Sequence, residues 1–165
     1  MDGNALRSLQ APLKAQYQDD PTAAVIKLEA SGTLGEEYVS CSITTGNGLV
    51  EAGLHPATGG DGSLACSGDM LLEALVACSG VTLGAVARAL GVDVRAGTVR
   101  ASGDLDFRGT LAVAKDAAVG FRNIELSFEL DTDASPEELE TLYKLTKRYC
   151  VIYQTLVNPP EVTVD

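Results

Sequence analysis

From Asp69 to Leu90 the chain is apolar or small at nearly every position, and only Asp69, Glu73 and Arg88 carry charge. Strong helix formers dominate, and Gly91 stands just past the end as a C′ residue, so the pattern predicts one long helix. A helix with no polar face is expected to be buried all round, which makes this stretch the spine of the domain. Gly80 and Gly84, four apart, clear a strip where another backbone can approach closely. On a helical projection Cys78 shares one face with Leu71, Leu75, Thr82 and Val86.

The stretches before the spine are shorter and less regular. Leu6, Leu9 and Leu13 recur at helical spacing over residues 4–18, with Pro12 limiting the helix and Asp19-Asp20-Pro21 ending it. Residues 24–30 and 37–44 read as two strands of a hairpin around 31–35. In the second strand Val39, Cys41 and Ile43 alternate with Tyr38, Ser40 and Ser42, which turns Cys41 to the apolar face as a small core residue. Residues 45–68 read as a glycine-shaped loop covering the start of the spine, with 49–54 as a short helical or extended piece. Gly59-Gly60-Asp61-Gly62 is not a phosphate cradle, because no Lys-Ser or Lys-Thr follows and Asp61 repels phosphate.

After the spine, residues 98–108 and 121–131 read as an antiparallel strand pair, with Ile124, Leu126, Phe128 and Leu130 on one face. Ser135-Pro136-Glu137-Glu138 then supplies an N-cap, a proline at N1 and a capping-box glutamate. The helix it opens runs to about Tyr149, with Leu139, Leu142, Tyr143 and Thr146 as its apolar stripe, continued by Cys150. Asn158-Pro159-Pro160 breaks the chain and residues 161–164 close it as a short strand. This order predicts an α+β fold: antiparallel sheets packed on two core helices, in one domain over residues 1–165 with 1–20 as an N-terminal helical extension.

Composition narrows the function. The 165 residues are 45% hydrophobic but only 5% aromatic, so the core is built from Leu, Val and Ala. A net charge of −11 disfavours nucleic acid and anionic membrane surfaces as partners. Met-Asp-Gly-Asn lacks the basic and apolar regions of a signal peptide, and Glu73 and Arg88 interrupt the longest apolar run, so the expectation is a soluble, cytoplasmic protein with no membrane span. The four cysteines form no C-x-x-C pair and His55 is the only histidine, so no structural zinc site is expected. A Cys-His or Ser-His hydrolase is disfavoured for the same reason, unless His55 serves; otherwise His55 is a loop residue. Cys78 and Cys150 each fall on the buried face of a helix, where they are either inert core thiols or a pair able to meet.

The run from Ser67 to Cys78, together with Arg148-Tyr149-Cys150 after a capped helix, resembles the OsmC/Ohr family of osmotically inducible and organic hydroperoxide resistance proteins. In that family a helix of the form P-x-E-L-L-x-A-L-A-A-C carries a first cysteine and a later helix the second. The resemblance spans about residues 24–164. It implies an OsmC-like fold in an intertwined homodimer with active sites at the subunit interface. It further implies thiol-dependent reduction of hydroperoxides, with Cys78 peroxidatic and Cys150 resolving, regenerated by a small dithiol or a dithiol-bearing protein. No metal or organic cofactor is implied, because the sulfurs carry the electrons. A spine helix apolar on every side also calls for more cover than one small sheet provides, which points to a dimer.

The sequence departs from the family at its charged positions. The family's thiolate is held by an arginine from an early hairpin and a glutamate just before the spine, but residues 28–39 contain no Arg, and Asp69 stands near the glutamate position. Asp69 equally reads as a first-turn acid favoured by the helix dipole, about 13 Å of helix rise from Cys78. Glu73 faces away from Cys78. Arg148 and Lys147 adjoin Cys150 and are candidate cations or solvated helix-end residues; Arg7 is another candidate, from a partner subunit. Cys66, ending the glycine-rich loop, is an alternative resolving thiol. The alternative to the enzyme is a non-catalytic OsmC-fold homodimer that binds a small apolar ligand or acts as a scaffold.

Overall fold

The structure, a computed structural model, describes residues 2–34, 40–46 and 48–164. It contains α1 (Gly3–Asp19), β1 (Gly32–Leu34), β2 (Ser40–Thr45), β3 (Gly48–Gly53), β4 (Ala65–Cys66), α2 (Ser67–Leu90), β5 (Ala96–Asp104), α3 (Phe107–Thr110), β6 (Arg122–Asp131), α4 (Pro136–Tyr149) and α5 (Val151–Val157). These make two compact units: one of Met1–Lys27, Ala74–Arg100 and Ser127–Asp165, the other of Leu28–Glu73 and Ala101–Leu126.

In the first unit, the C-terminal half of α2 supplies Leu83, Val86 and Ala87 to a core completed by Leu142 of α4. Phe128 of β6 stacks on Tyr143 with ring centroids 5.3 Å apart, extending that core outward. Two buried hydroxyls cross it without being left unpaired. Ser79 Oγ donates to the Leu75 carbonyl at 2.5 Å, and Thr146 Oγ1 donates to the Leu142 carbonyl at 2.8 Å. The helix ends follow their sequence signals. Gly91 has φ +76 and the Val92 N–H closes back onto the Ala87 carbonyl at 2.9 Å, the Schellman closure that lets α2 stop sharply. Ser135 and Glu138 form the reciprocal capping box that opens α4.

The spine expectation needs correction. α2 is buried along one stripe (Leu75, Ser79, Leu83, Val86, Ala87), not all round. Val81 is 77% exposed and Leu71 37%, because the chain supplies cover on one side only. Among the described residues α2 alone is long and apolar enough to cross a membrane; its buried stripe packs within the chain instead. Among the described residues the Gly80–Gly84 strip is met by side chains: a Cβ at Gly80 would meet Val99, and Arg88 folds back to donate to the Gly84 carbonyl at 2.8 Å.

In the second unit β1, β2 and β3 pair antiparallel in order, and β4 adds parallel to β3. The hairpin's first strand lies at Gly32–Leu34, paired through Leu34↔Cys41, and not at 24–30; a short 3-10 turn covers Pro21–Ala24 and 25–31 take no regular structure. The expected residues 37–39 of the second strand lie outside the described residues. Within the expected loop, residues 48–53 and 65–66 are strands. The piece at 49–54, left between helical and extended, is the extended β3, and its glycines do not prevent its pairing with β2.

β5 pairs with β6; Gly97 lies against Leu130 and Gly103 against Ile124, so the two strands run antiparallel as expected. Arg95 fixes the start of β5 by bonding Asp131 at 2.5 Å and Asp133 at 2.6 Å. Toward the chain end one expectation fails, since residues 161–164 form no strand, and a helix that the pattern did not mark, α5, occupies 151–157. At the chain start, α1 runs straight through Pro12 and buries none of its residues.

Candidate functional site

Cys78 lies at mid-length in α2, one turn after the buried Leu75 and one turn before Thr82. Cys150 lies at a joint between helices. As the C-cap of α4 its N–H donates to the Thr146 carbonyl at 2.9 Å. As the N-cap of α5 its Sγ accepts from the Tyr153 N–H at 3.5 Å. It is fully buried, Cys78 is half-buried, and none of the four cysteines is joined in a disulfide.

The joint aims the first N–H groups of α5 at the Cys78 sulfur. Burial pushes the Cys78 thiol up, but hydrogen bonds from the Ile152 N–H, the Cys150 thiol, the Val151 N–H and the Thr82 hydroxyl outweigh it. The net effect holds Cys78 below the ordinary thiol value. Cys150 moves the other way. Burial raises it, the Tyr153 N–H offsets part of that, and the hydrogen bond and charge of Cys78 raise it further. The surroundings therefore favour the thiolate at Cys78 over that at Cys150. A thiolate in hydrogen-bond contact with a protonated thiol is the arrangement from which a disulfide forms once one sulfur is oxidised.

No arginine or lysine is among these principal contributions to Cys78. Arg148, in the last turn of α4, is exposed, with its guanidinium 5.7 Å from the Tyr149 ring centroid. With Lys144, Lys147 and Tyr153 it lines an open surface depression. Asp69 is an exposed acid in the first turn of α2, nine residues before Cys78 on the same helix. Arg7 donates to Asn4 Oδ1 at 3.0 Å. Cys41 is half-buried on β2 with its sulfur against Gly32. His55 is the N-cap of a 3-10 turn at Pro56–Thr58: Nδ1 accepts from the Ala57 N–H at 3.0 Å, and the ring stacks on Phe107 at 4.9 Å.

The donors that sequence reasoning missed are the backbone amides of Val151 and Ile152. Backbone groups leave no residue-type signature, and Val-Ile-Tyr is a β-leaning run. The Asn158-Pro159 stop was the available signal, since such a stop commonly closes a helix. Thr82 lies one turn beyond Cys78 on the face expected from the projection.

Comparison with known proteins places this geometry in a family. No curated protein matches the chain in sequence. Among solved structures it is similar to an OsmC-like protein from Mycoplasma pneumoniae, with TM-score 0.67 and 19% identity over 81% of this chain and 89% of that one. It is also similar to an organic hydroperoxide resistance protein from Elizabethkingia anophelis, with TM-score 0.65 and 17% identity over 84% and 93% of the two chains. The organic hydroperoxide resistance protein OhrB of Bacillus subtilis aligns with TM-score 0.56 and 14% identity over 81% and 93%. At these identities the likeness establishes the fold. The family model described as OsmC-like protein matches residues 60–165, which include α2, α4, α5 and both helical cysteines, and on that match the chain belongs to the OsmC-like protein family.

Proposed function

We propose that this chain is a thiol peroxidase that reduces organic hydroperoxides through a Cys78–Cys150 dithiol–disulfide cycle. The observation that carries the reading is the meeting of Cys78 on α2 with Cys150 and the start of α5, whose hydrogen bonds draw the Cys78 thiol downward. The Cys78 thiolate attacks the distal peroxide oxygen, the O–O bond breaks, and the alcohol leaves with a proton. Cys78 is then a sulfenic acid. Cys150 attacks its sulfur, an S–S bond forms and water departs with the hydroxyl oxygen. A small dithiol or dithiol-bearing protein returns both thiols to the reduced state and is itself oxidised to a disulfide. The family membership and the neighbours named organic hydroperoxide resistance proteins support the choice of substrate class.

The active form in this reading is a homodimer. The apolar surface left on α2, notably Val81, supports it, since a second copy is the simplest cover for that surface. Light scattering at micromolar concentration giving a monomer mass would remove the dimer. A second reading, a family member that binds a small apolar ligand without turnover, is favoured by the lack of a cation among the principal contributions to Cys78.

The deciding experiment treats reduced protein with one equivalent of an alkyl hydroperoxide. Two thiols should be consumed and Cys78 linked to Cys150. Cys78→Ser should abolish peroxide consumption, and Cys150→Ser should preserve the first oxidation while trapping the sulfenic acid or diverting the bond to Cys66. Wild-type peroxide consumption by Cys78→Ser would refute the mechanism and leave the ligand-binding reading.

A further inference from the structure

A cavity lies wholly within the second unit. It is a half-open hollow of about 360 Å³ between the β3–β4 connection, the start of α2 and the segment around α3, and its walls include His55, Cys66, Leu105, Phe107 and Phe121. An adjoining hollow of about 170 Å³ shares those five residues and extends to Asp69 and Leu72. Gly68 keeps the walls close: a Cβ there would lie 3.3 Å from Phe121 and 3.5 Å from the Cys66 sulfur. Ligand cavities run from about 300 to 1,000 Å³, so this one suits a compact molecule.

The walls state what kind of molecule. Phe107, Phe121 and Leu105 are apolar, and the His55 ring lies nearly parallel to Phe107, at 16°. With centroids 4.9 Å apart the two rings already touch, so they form one aromatic wall and an occupant's ring lies against that wall. His55 Nδ1 already accepts from the Ala57 N–H, so the neutral ring carries its proton on Nε2. Nε2–H has no partner among the described residues and is the donor left for an occupant's oxygen. Asp69 at the edge, and a chain of net charge −11, disfavour a carboxylate. The Cys66 thiol places a nucleophile on the same wall.

We infer that this cavity is a second small-molecule site, built for a neutral, compact aromatic or cyclic carbonyl compound whose oxygen accepts from His55 Nε2–H beside the Cys66 thiol. The inference does not depend on the chemistry of Cys78 and Cys150.

Cinnamaldehyde, an aromatic α,β-unsaturated carbonyl, serves as the probe. In its adduct the Cys66 sulfur bonds the β-carbon, the double bond's π pair shifts to the α-carbon, and that carbon takes up a proton in place of the one the thiol gives up. Reduced full-length protein is treated over a concentration series and the adduct at Cys66 is followed by peptide mass mapping. The rate at Cys66 should reach a plateau, while the rate at Cys41 climbs linearly. Acetophenone, which binds without reacting, should slow labelling at Cys66 and leave Cys41 unchanged. His55→Asn keeps a side-chain acceptor at the N-cap and removes the ring donor. It should raise the half-saturating concentration about five- to tenfold, the equivalent of one ordinary hydrogen bond. A linear rate at Cys66, no protection by acetophenone, or an unchanged half-saturation in His55→Asn would each overturn the assignment. The saturation and protection measurements use the wild-type chain, so they stand whether or not the variant folds.

Discussion

Val151→Pro tests whether α5 holds the Cys78 thiolate. Position 151 is the first residue of α5, where a missing N–H breaks no intrahelical bond and proline's fixed φ suits the helix. Proline also requires its predecessor to be extended, and Cys150 already has φ −74 and ψ 111. The native side chain is 68% exposed, so little packing is lost. What disappears is one of the N–H groups donating to Cys78. A hydrogen bond to a charged group contributes about 1.5–3 kcal/mol, and about 1.4 kcal/mol equals one unit of pKa. Val151 contributes less than Ile152 and the Cys150 thiol, which selects the low end, a rise of about one pH unit.

The assay is the pH dependence of Cys78 alkylation, read by mass, with Val151→Ala as the control that keeps the N–H. Wild type should show a midpoint below the free-thiol value of about 8.5. Val151→Pro should move it upward and Val151→Ala should leave it in place. Because the folded value of Cys78 is lowered, its stabilising contribution is present above the unfolded value and is lost as pH falls through the folded one. Wild type and Val151→Pro should accordingly separate in stability at alkaline pH and converge in acid. A folded Val151→Pro protein with an unmoved alkylation midpoint would refute the role given to α5.

Three further outcomes follow from the packing and the charges. Leu142→Ala, at a fully buried position against Leu83, Val86 and Ala87, should cost about 2–5 kcal/mol in urea unfolding; a loss below 1 kcal/mol would contradict a tight core there. Ser135→Ala breaks the capping box of α4 and should cost about 1 kcal/mol, with Ser135→Asp recovering most of it. The Arg108 guanidinium holds the Asp106 carboxyl at about 2, so that pairing is present above the ordinary aspartate value and is lost only as pH falls through about 2. Carbon NMR of the Asp106 carboxyl showing a midpoint at about 3.9 would refute it.

What the sequence revealed depended on which atoms did the work. Ser135-Pro136 and Gly91 act through rules local to a few residues, and both helix ends fall where those rules put them. Alternation at Ile124, Leu126, Phe128 and Leu130 reports a half-buried strand because every second side chain meets the same surface. The piece at 49–54 was legible only as helical or extended, because β3 is fixed as a strand by pairing with β2, and Gly48 and Gly53 dilute its pattern. The exposure of Val81 was unreadable for a different reason: composition tells how apolar a helix is, not how much cover the chain can bring to it. At the sulfur pair the two cysteines were legible as residue types on helix faces. The amides of Val151 and Ile152 were not, since every residue but proline carries one and only the bend at Cys150 aims them.

That bend makes any replacement of Cys150 a double experiment. One residue closes α4 through its own N–H and opens α5 through its sulfur, so a new side chain there changes chemistry and architecture together. Serine exchanges a weak acceptor for a strong one and tightens α5; alanine gives the Tyr153 N–H nothing to donate to and loosens it. The two variants bracket the native cap from opposite sides. A defect that appears in one alone belongs to the architecture of the joint, and a defect common to both belongs to sulfur.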